Sequence, residues 1–239
     1  MDELAKREIN ESAGPDKPHY HGHRERLRQR VLERGPASLS DYEIIEFLLF
    51  GAKQRGDTKP LAKALIARFG SLAGVLSAAP NDLKAVPGMG DASAAVLSVV
   101  PEAAIRLARA EILDQPVIDS WSRLVDYCRM IMGRSPIEQF RVLFLDRKNR
   151  LIADEEQQRG TVDHTPVYPR EIVKRALELS ASALILVHNH PSGDATPSSG
   201  DIAMTKEVRD TAGRMGIELH DHLIVTRAGE SSFRGLGLL

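Results

Sequence analysis

The run Ala183-Leu184-Ile185-Leu186-Val187-His188-Asn189-His190-Pro191-Ser192-Gly193, with Ser198-Ser199-Gly200-Asp201 shortly after it, decides how this chain is read. Five consecutive apolar residues that end in a Pro-Ser-Gly turn read as a short strand. In a strand alternate residues point to one side, so His188 and His190 offer two imidazoles from the same side of its end. Asn189 points the other way and reads as a residue that fixes the loop by hydrogen bonding, while Pro191 and Gly193 are turn chemistry. Ser198-Ser199-Gly200-Asp201 opens a helical segment, and Asp201 falls in its first turn, where it can fold back as an oxygen ligand. Two nitrogens, one oxygen and an open fourth position make up a catalytic zinc site, whereas structural zinc sites are usually closed by cysteine. A His-x-His pair alone is commonly two polar residues at a strand end. The aspartate at this offset, the serine and the turn between them make a metal site the expectation, and a hydrolase the reading.

The pattern His-x-His, seven residues, Ser, two residues, Asp resembles the JAMM motif of MPN+ metalloproteins, with His188, His190, Ser198 and Asp201 in register. The flanking Gly160-Thr161, Val167-Tyr168-Pro169-Arg170-Glu171, the unbroken His188 to Gly193 and Asp221-His222 resemble the RadC family of bacterial proteins. The resemblance covers nearly everything after residue 17 and is strongest from Ser135 onward. It implies the MPN fold, an α/β sandwich with a mixed central sheet, and one zinc ion per chain held by His188, His190 and Asp201. It also implies that Glu138, on an earlier strand, is the general base, and that Ser198 donates a hydrogen bond that helps hold the oxyanion. By itself Ser198 reads as the cap of the helix near Asp201, and both roles are compatible. Spacing does not choose between Glu138 and its rivals Glu155 and Glu156, which alone read as a solvated strand end; the resemblance favours Glu138.

Composition frames the site. The chain has 239 residues, 42% hydrophobic and 27% charged, with a net charge of -1, enough for one large or two modest globular domains. Its single cysteine, Cys128, excludes an internal disulfide and a Cys-rich metal site, and suits a reducing cytoplasm. No apolar run has membrane-spanning length, and Met1-Asp2-Glu3-Leu4 lacks the pattern of a signal peptide, so a soluble, unexported protein is expected.

Residues 1–17 are polar and read as a disordered lead-in. Residues 18–115 read as helical. One helix starts at Asp41 with Ile44, Ile45, Leu48 and Leu49 on a face, and the next carries Leu61, Leu65 and Ile66. Val86-Pro87-Gly88-Met89-Gly90 resembles a helix-hairpin-helix motif, in which Gly88 and Gly90 would let the backbone approach a nucleic-acid phosphate; the alternative is a compact packing turn. Arg24, Arg26, Arg28 and Arg30 form the patch that would assist. Against this, residues 1–115 carry as many acidic as basic side chains, and Asp91 follows the hairpin directly. The expectation is therefore at most weak, nonspecific DNA contact.

A linker is expected at Asp114 to Asp119, and residues 117–239 form the metal-dependent domain. Ser120 would cap a helix carrying Trp121, Leu124, Val125, Cys128, Ile131 and Met132. Strands at 139–146 and 149–155, a helix at Arg170 to Leu179, the metal strand, the helix at Asp201 and a strand at Leu223 to Thr226 complete an α/β arrangement. His222 is read as a residue behind the site, and the His19 to His23 segment as solvated. Three function classes follow: a zinc metallopeptidase or isopeptidase acting on a protein or peptide, a DNA-associated repair-type protein with a metal-dependent nuclease activity, and a non-catalytic interaction module. The intact ligand set favours the first.

Overall fold

The computed structural model describes residues 22–113, 116–160 and 168–239; the lead-in expected at 1–17 lies outside them. At the centre of the C-terminal half is strand β3 (Ala183–Asn189), with all seven residues buried. It pairs antiparallel with β1 (Glu138–Leu145) and parallel with β4 (Glu218–Val225). Strand β2 (Leu151–Gly160) lies outside β1 and β5 (Glu230–Ser232) outside β4, so the mixed sheet runs β2-β1-β3-β4-β5. A strand covered on both faces calls for continuous apolar sequence, which Ala183 to Val187 supplies. The parallel β3 to β4 link needs a crossover, and a sixteen-residue helix, Ser199–Arg214, provides it.

Parity assigns each strand residue to a side. Leu143, Leu145, Ile185 and Val187 pack on one face against the helix Trp121–Met132, through its Leu124, Cys128 and Met132. Phe140, Val142, Phe144, Leu184 and Leu186 pack on the other, against the helices Pro169–Glu178 and Ser199–Arg214, through Ile172, Ala176, Val208 and Ala212. The even positions of β1 and β3 thus face the crossover helix. Glu138 and His188 continue those even series.

Side-chain chemistry extends the ladder between β1 and β3. Main-chain pairing stops at Phe140 and His188, and the His190 amide turns away to the Val225 carbonyl at 3.2 Å. There the buried Asn189 side chain takes over. Its Oδ1 accepts the Gln139 N–H at 2.8 Å, and its Nδ2 donates to the carbonyls of Ile137 at 3.1 Å and Ser135 at 3.3 Å. A side-chain amide thereby stands in for a peptide group and holds the backbone on both sides of Glu138, which is the loop-fixing role expected of Asn189.

The chain forms two compact units, Met1–Pro101 and Glu102–Leu239. The first is helical, in chain order α1 (His23–Arg34), α2 (Asp41–Ala52), α3 (Lys59–Phe69), α4 (Leu72–Leu76), α5 (Pro80–Lys84) and the start of α6 (Asp91–Leu113), followed in the second unit by α7 (Trp121–Met132), α8 (Pro169–Glu178) and α9 (Ser199–Arg214). Ile45, Leu49, Leu65, Val75, Leu83 and Leu97 make the core of the first unit. Helix α2 opens on a capping box, with the Ser40 N–H donating to Glu43 Oε2 at 2.9 Å. Helix α6 crosses the division at Pro101, a residue without an N–H to give to the helix. Its last turns belong to the second unit, where Ile112 and Val117 are buried in the α7 core. Val117 is tied there by its N–H to the Asn149 carbonyl at 2.8 Å. Ser120 occupies the N-cap position of α7 but makes no side-chain cap; its hydroxyl donates to the Pro116 carbonyl at 3.3 Å instead. Among the described residues no helix is long and apolar enough to cross a membrane.

Two outcomes follow for stability, both measurable through the fluorescence of the single tryptophan, Trp121, in urea. Asn189→Asp keeps the acceptor but removes both donors, and should destabilise the second unit by about 2–4 kcal/mol. A loss below about 0.5 kcal/mol, within the range of an ordinary surface change, would show that the Asn189 bridge contributes little. Ile112→Ala should cost about 2–5 kcal/mol in the same transition, because the end of α6 is part of this core; no effect would place Ile112 outside it.

Candidate metal centre

Three elements deliver the candidate ligands to one point. His188 is the penultimate residue of β3, His190 directly follows the strand, and Asp201 lies in the first turn of α9. His188 Nε2 and His190 Nε2 are 2.8 Å apart, and the Asp201 carboxylate stands 3.3 Å from the first through Oδ1 and 3.6 Å from the second through Oδ2. Ligand atoms about 2.0–2.1 Å from a tetrahedral zinc are roughly 3.3 Å from one another, close to these separations. The outer nitrogens are already engaged. His190 Nδ1 meets the Asp194 carbonyl at 2.7 Å, and His188 Nδ1 meets His222 Nε2 at 2.7 Å. The donor set therefore fits a metal ion of zinc type. Glu138 belongs to the same group, with its carboxylate and the two histidine nitrogens all within 4.8 Å of one another.

The start of α9 aims Asp201. Ser198 and Asp201 form a capping box: Ser198 Oγ accepts the Asp201 N–H at 3.1 Å, and Asp201 Oδ2 accepts the Ser198 N–H at 2.7 Å. The Ser198 hydroxyl also donates to Oδ2 at 2.7 Å, which leaves Oδ1 directed at His188. Ser198 is thus the helix cap, and its proton is engaged by the carboxylate.

Burial lowers the His188 imidazole to about 4, so that ring is neutral at physiological pH. His190 is raised, first by the Asp201 carboxylate that faces it and against the effect of burial. Burial works against ionisation of Asp201, yet the facing His190 and His188 rings and the hydrogen bonds from Ser198 hold its carboxyl well below the ordinary range. The cluster keeps one carboxylate charge facing two imidazoles, which is the electrostatic setting a divalent cation requires.

The rival bases are engaged elsewhere. Glu155 makes a forked pair with Arg175, at 2.9 Å from Nε and 2.7 Å from Nη2, and Glu156 lies 3.4 Å from Arg141. His220 is a structural residue, with Nε2 2.7 Å from Asn149 Oδ1. His222 is fully buried behind His188, as expected of it. The sequence reading missed Thr205, buried on α9 with its hydroxyl 2.6 Å from His222 Nδ1. Its signal is the spacing of four from Asp201, which puts both on one helical face.

In the first unit, Arg24 donates to the carbonyls of Gln54 and Gly56 at 2.9 Å each and stacks over Phe50. Arg28 pairs with Glu25 at 3.5 Å, and Arg30 with Glu43 at 2.6 Å. Arg26 shares helix α1 with them. Gly88 has φ 89°, a conformation that suits glycine, in the turn between α5 and α6, and Gly90 directly precedes α6. Lys84 and Asp91 pair across this turn at 3.2 Å. His23, which was expected to be solvated, instead contacts the buried Glu46 carboxylate at 3.1 Å.

Comparison with known proteins agrees with this architecture. Residues 118–238 match the family described as RadC-like JAB domain, and residues 21–95 match the family described as UPF0758 N-terminal. A UPF0758 protein of Rhodobacter capsulatus is 59% identical over 213 residues, which span 89% of this chain and 100% of the relative. With a helical N-terminal region followed by a JAB/MPN α/β domain, and matches across both, this chain belongs to the RadC family.

Proposed function

We propose that the chain is a zinc-dependent hydrolase of the JAMM type, a metallopeptidase or isopeptidase that cleaves an amide of a protein or peptide with one zinc per chain. One observation carries the reading: Glu138, His188, His190 and Asp201 converge from three elements on one face of the sheet. His188, His190 and Asp201 would hold the ion. Zinc, when bound, supplies Lewis acidity and lowers the pKa of water toward neutrality.

The rest is done by side chains. Glu138 is exposed at the first position of β1, where solvent and substrate reach it. It accepts a proton from the attacking water and delivers it to the leaving amine, the work of a general base that then turns general acid. Asn189 keeps Glu138 in place through the backbone on either side. Ser198 orients Asp201; to support an oxyanion, its hydroxyl must turn from that carboxylate to the substrate.

Elemental analysis of the purified protein should find about one zinc per chain. The double variant His188→Ala, His190→Ala should contain none, and full occupancy there would sink the ligand assignment. A Glu138→Ala variant loaded with zinc should retain substrates from cell extract, and these supply the assay. With such a substrate Glu138→Gln should keep its zinc and lose activity by about a hundredfold or more, while Glu155→Gln, whose parent residue is tied to Arg175, should be mild. Activity that survives Glu138→Gln but disappears in Glu155→Gln would transfer the base to β2.

A further inference from the structure

We propose that Thr205 and His222 are positioning residues that fix the tautomer of His188, so that Nε2 presents its lone pair to the metal, and that they tie His188 to Asp201 through the protein. The proposal rests on the metal reading of His188 and Asp201 given above. The relay runs through short contacts: the Asp201 carbonyl to Thr205 Oγ1 at 2.5 Å, Thr205 Oγ1 to His222 Nδ1 at 2.6 Å, and His222 Nε2 to His188 Nδ1 at 2.7 Å.

Proton counting gives the direction. A carbonyl only accepts, so the Thr205 hydroxyl donates to the Asp201 carbonyl. His222 Nδ1 must then carry the hydrogen and donate to Thr205. His222 is fully buried, stacked on Phe233 with ring centroids 4.5 Å apart and edge-on to Phe140 at 5.9 Å, and its ring nitrogens meet Thr205 and His188 with no carboxylate against either, surroundings that favour a neutral ring. A neutral ring has one N–H, so His222 Nε2 is an acceptor. His188 Nδ1 is therefore the donor, and its Nε2 is left as a bare lone pair facing His190 and Asp201. The opposite direction would put a hydrogen on His188 Nε2, in the place where a ligand needs its electrons.

The backbone is built to allow this. Leu184 pairs with Leu219 but Ile185 pairs with Asp221, so His220 is an extra residue in β4. This bulge reverses the parity of the strand. Leu219 and His222 both reach the α9 face in consequence, whereas strict alternation would turn His222 to the α7 side. The chain closes a ring from Asp201 through Thr205, His222 and His188 back to Asp201 Oδ1, 3.3 Å from His188 Nε2.

The test uses full-length protein. Long-range proton–nitrogen NMR of 15N-labelled, zinc-free protein should show both His188 and His222 protonated at Nδ1. Thr205→Val, of nearly the same shape, should disturb the His222 and His188 tautomers and weaken zinc binding by about 10–100-fold in chelator competition, and Thr205→Ser should restore both. A His188 protonated at Nε2 in the wild-type protein would overturn the relay, and that readout stands even if Thr205→Val fails to fold. Wild-type tautomers and affinity in Thr205→Val would also overturn it. Because the tautomers are read without metal, the relay can be found as drawn in a protein that binds no zinc, in which case it is the hydrolase reading that fails.

Discussion

The constraint on which the C-terminal half depends is the burial of β3 on both faces and along both edges. Because the strand cannot shift by one residue without exchanging its two faces, its register is fixed by Leu184 and Leu186 on one side and Ile185 and Val187 on the other. His188 inherits its direction from that register. The same face receives the first turn of α9, which carries Asp201, and the even positions of β1, which begin at Glu138. Glu138 and His188 therefore share a side because the core dictates their parity, the turn after β3 and the first turn of α9 bring His190 and Asp201 to them, and hydrogen bonds need only refine the group. Asn189 and the Ser198 capping box make two of those refinements, each by replacing a missing main-chain partner with a side chain.

The candidate site was largely legible because its residues sit where local periodicity is strict. His188 and His190 two apart at a strand end, and Asp201 three after a capping serine, follow from strand alternation and helix-start chemistry. The α/β arrangement followed from strands interleaved with helices, and the mixed central sheet from the family resemblance. Less legible was the extent of β2, read as ending near 155 but running to Gly160, because Glu155 and Glu156 suggest solvent. On an edge strand such residues are at ease, and Arg175 and Arg141 engage them. The polar Glu230-Ser231-Ser232 carries no alternation at all, so β5 was invisible; it is held by pairing with β4.

Longer-range partnerships were beyond sequence reasoning. Nothing local says that Arg24 closes the loop carbonyls of Gln54 and Gly56, or that His23 reaches Glu46, and a run of arginines reads as a surface patch until its partners are seen. The β4 bulge is similarly hidden, since the alternate histidines His220 and His222 look equivalent while the extra residue sends them to different tasks. Thr205 was missed because a threonine in a helix is usually satisfied by the carbonyl of the residue four positions back, here Asp201. Here that bond is also what orients its neighbour.

X-ray absorption at the zinc edge, recorded on zinc-loaded wild-type protein and on Glu138→Gln side by side, tests the central claim most directly. The account predicts the same shell in both, with two imidazole nitrogens and oxygen ligands at about 2.0–2.2 Å, since Glu138 acts on water and does not bind the ion. A shell that loses an oxygen in Glu138→Gln, or one without two imidazoles in the wild type, would contradict it.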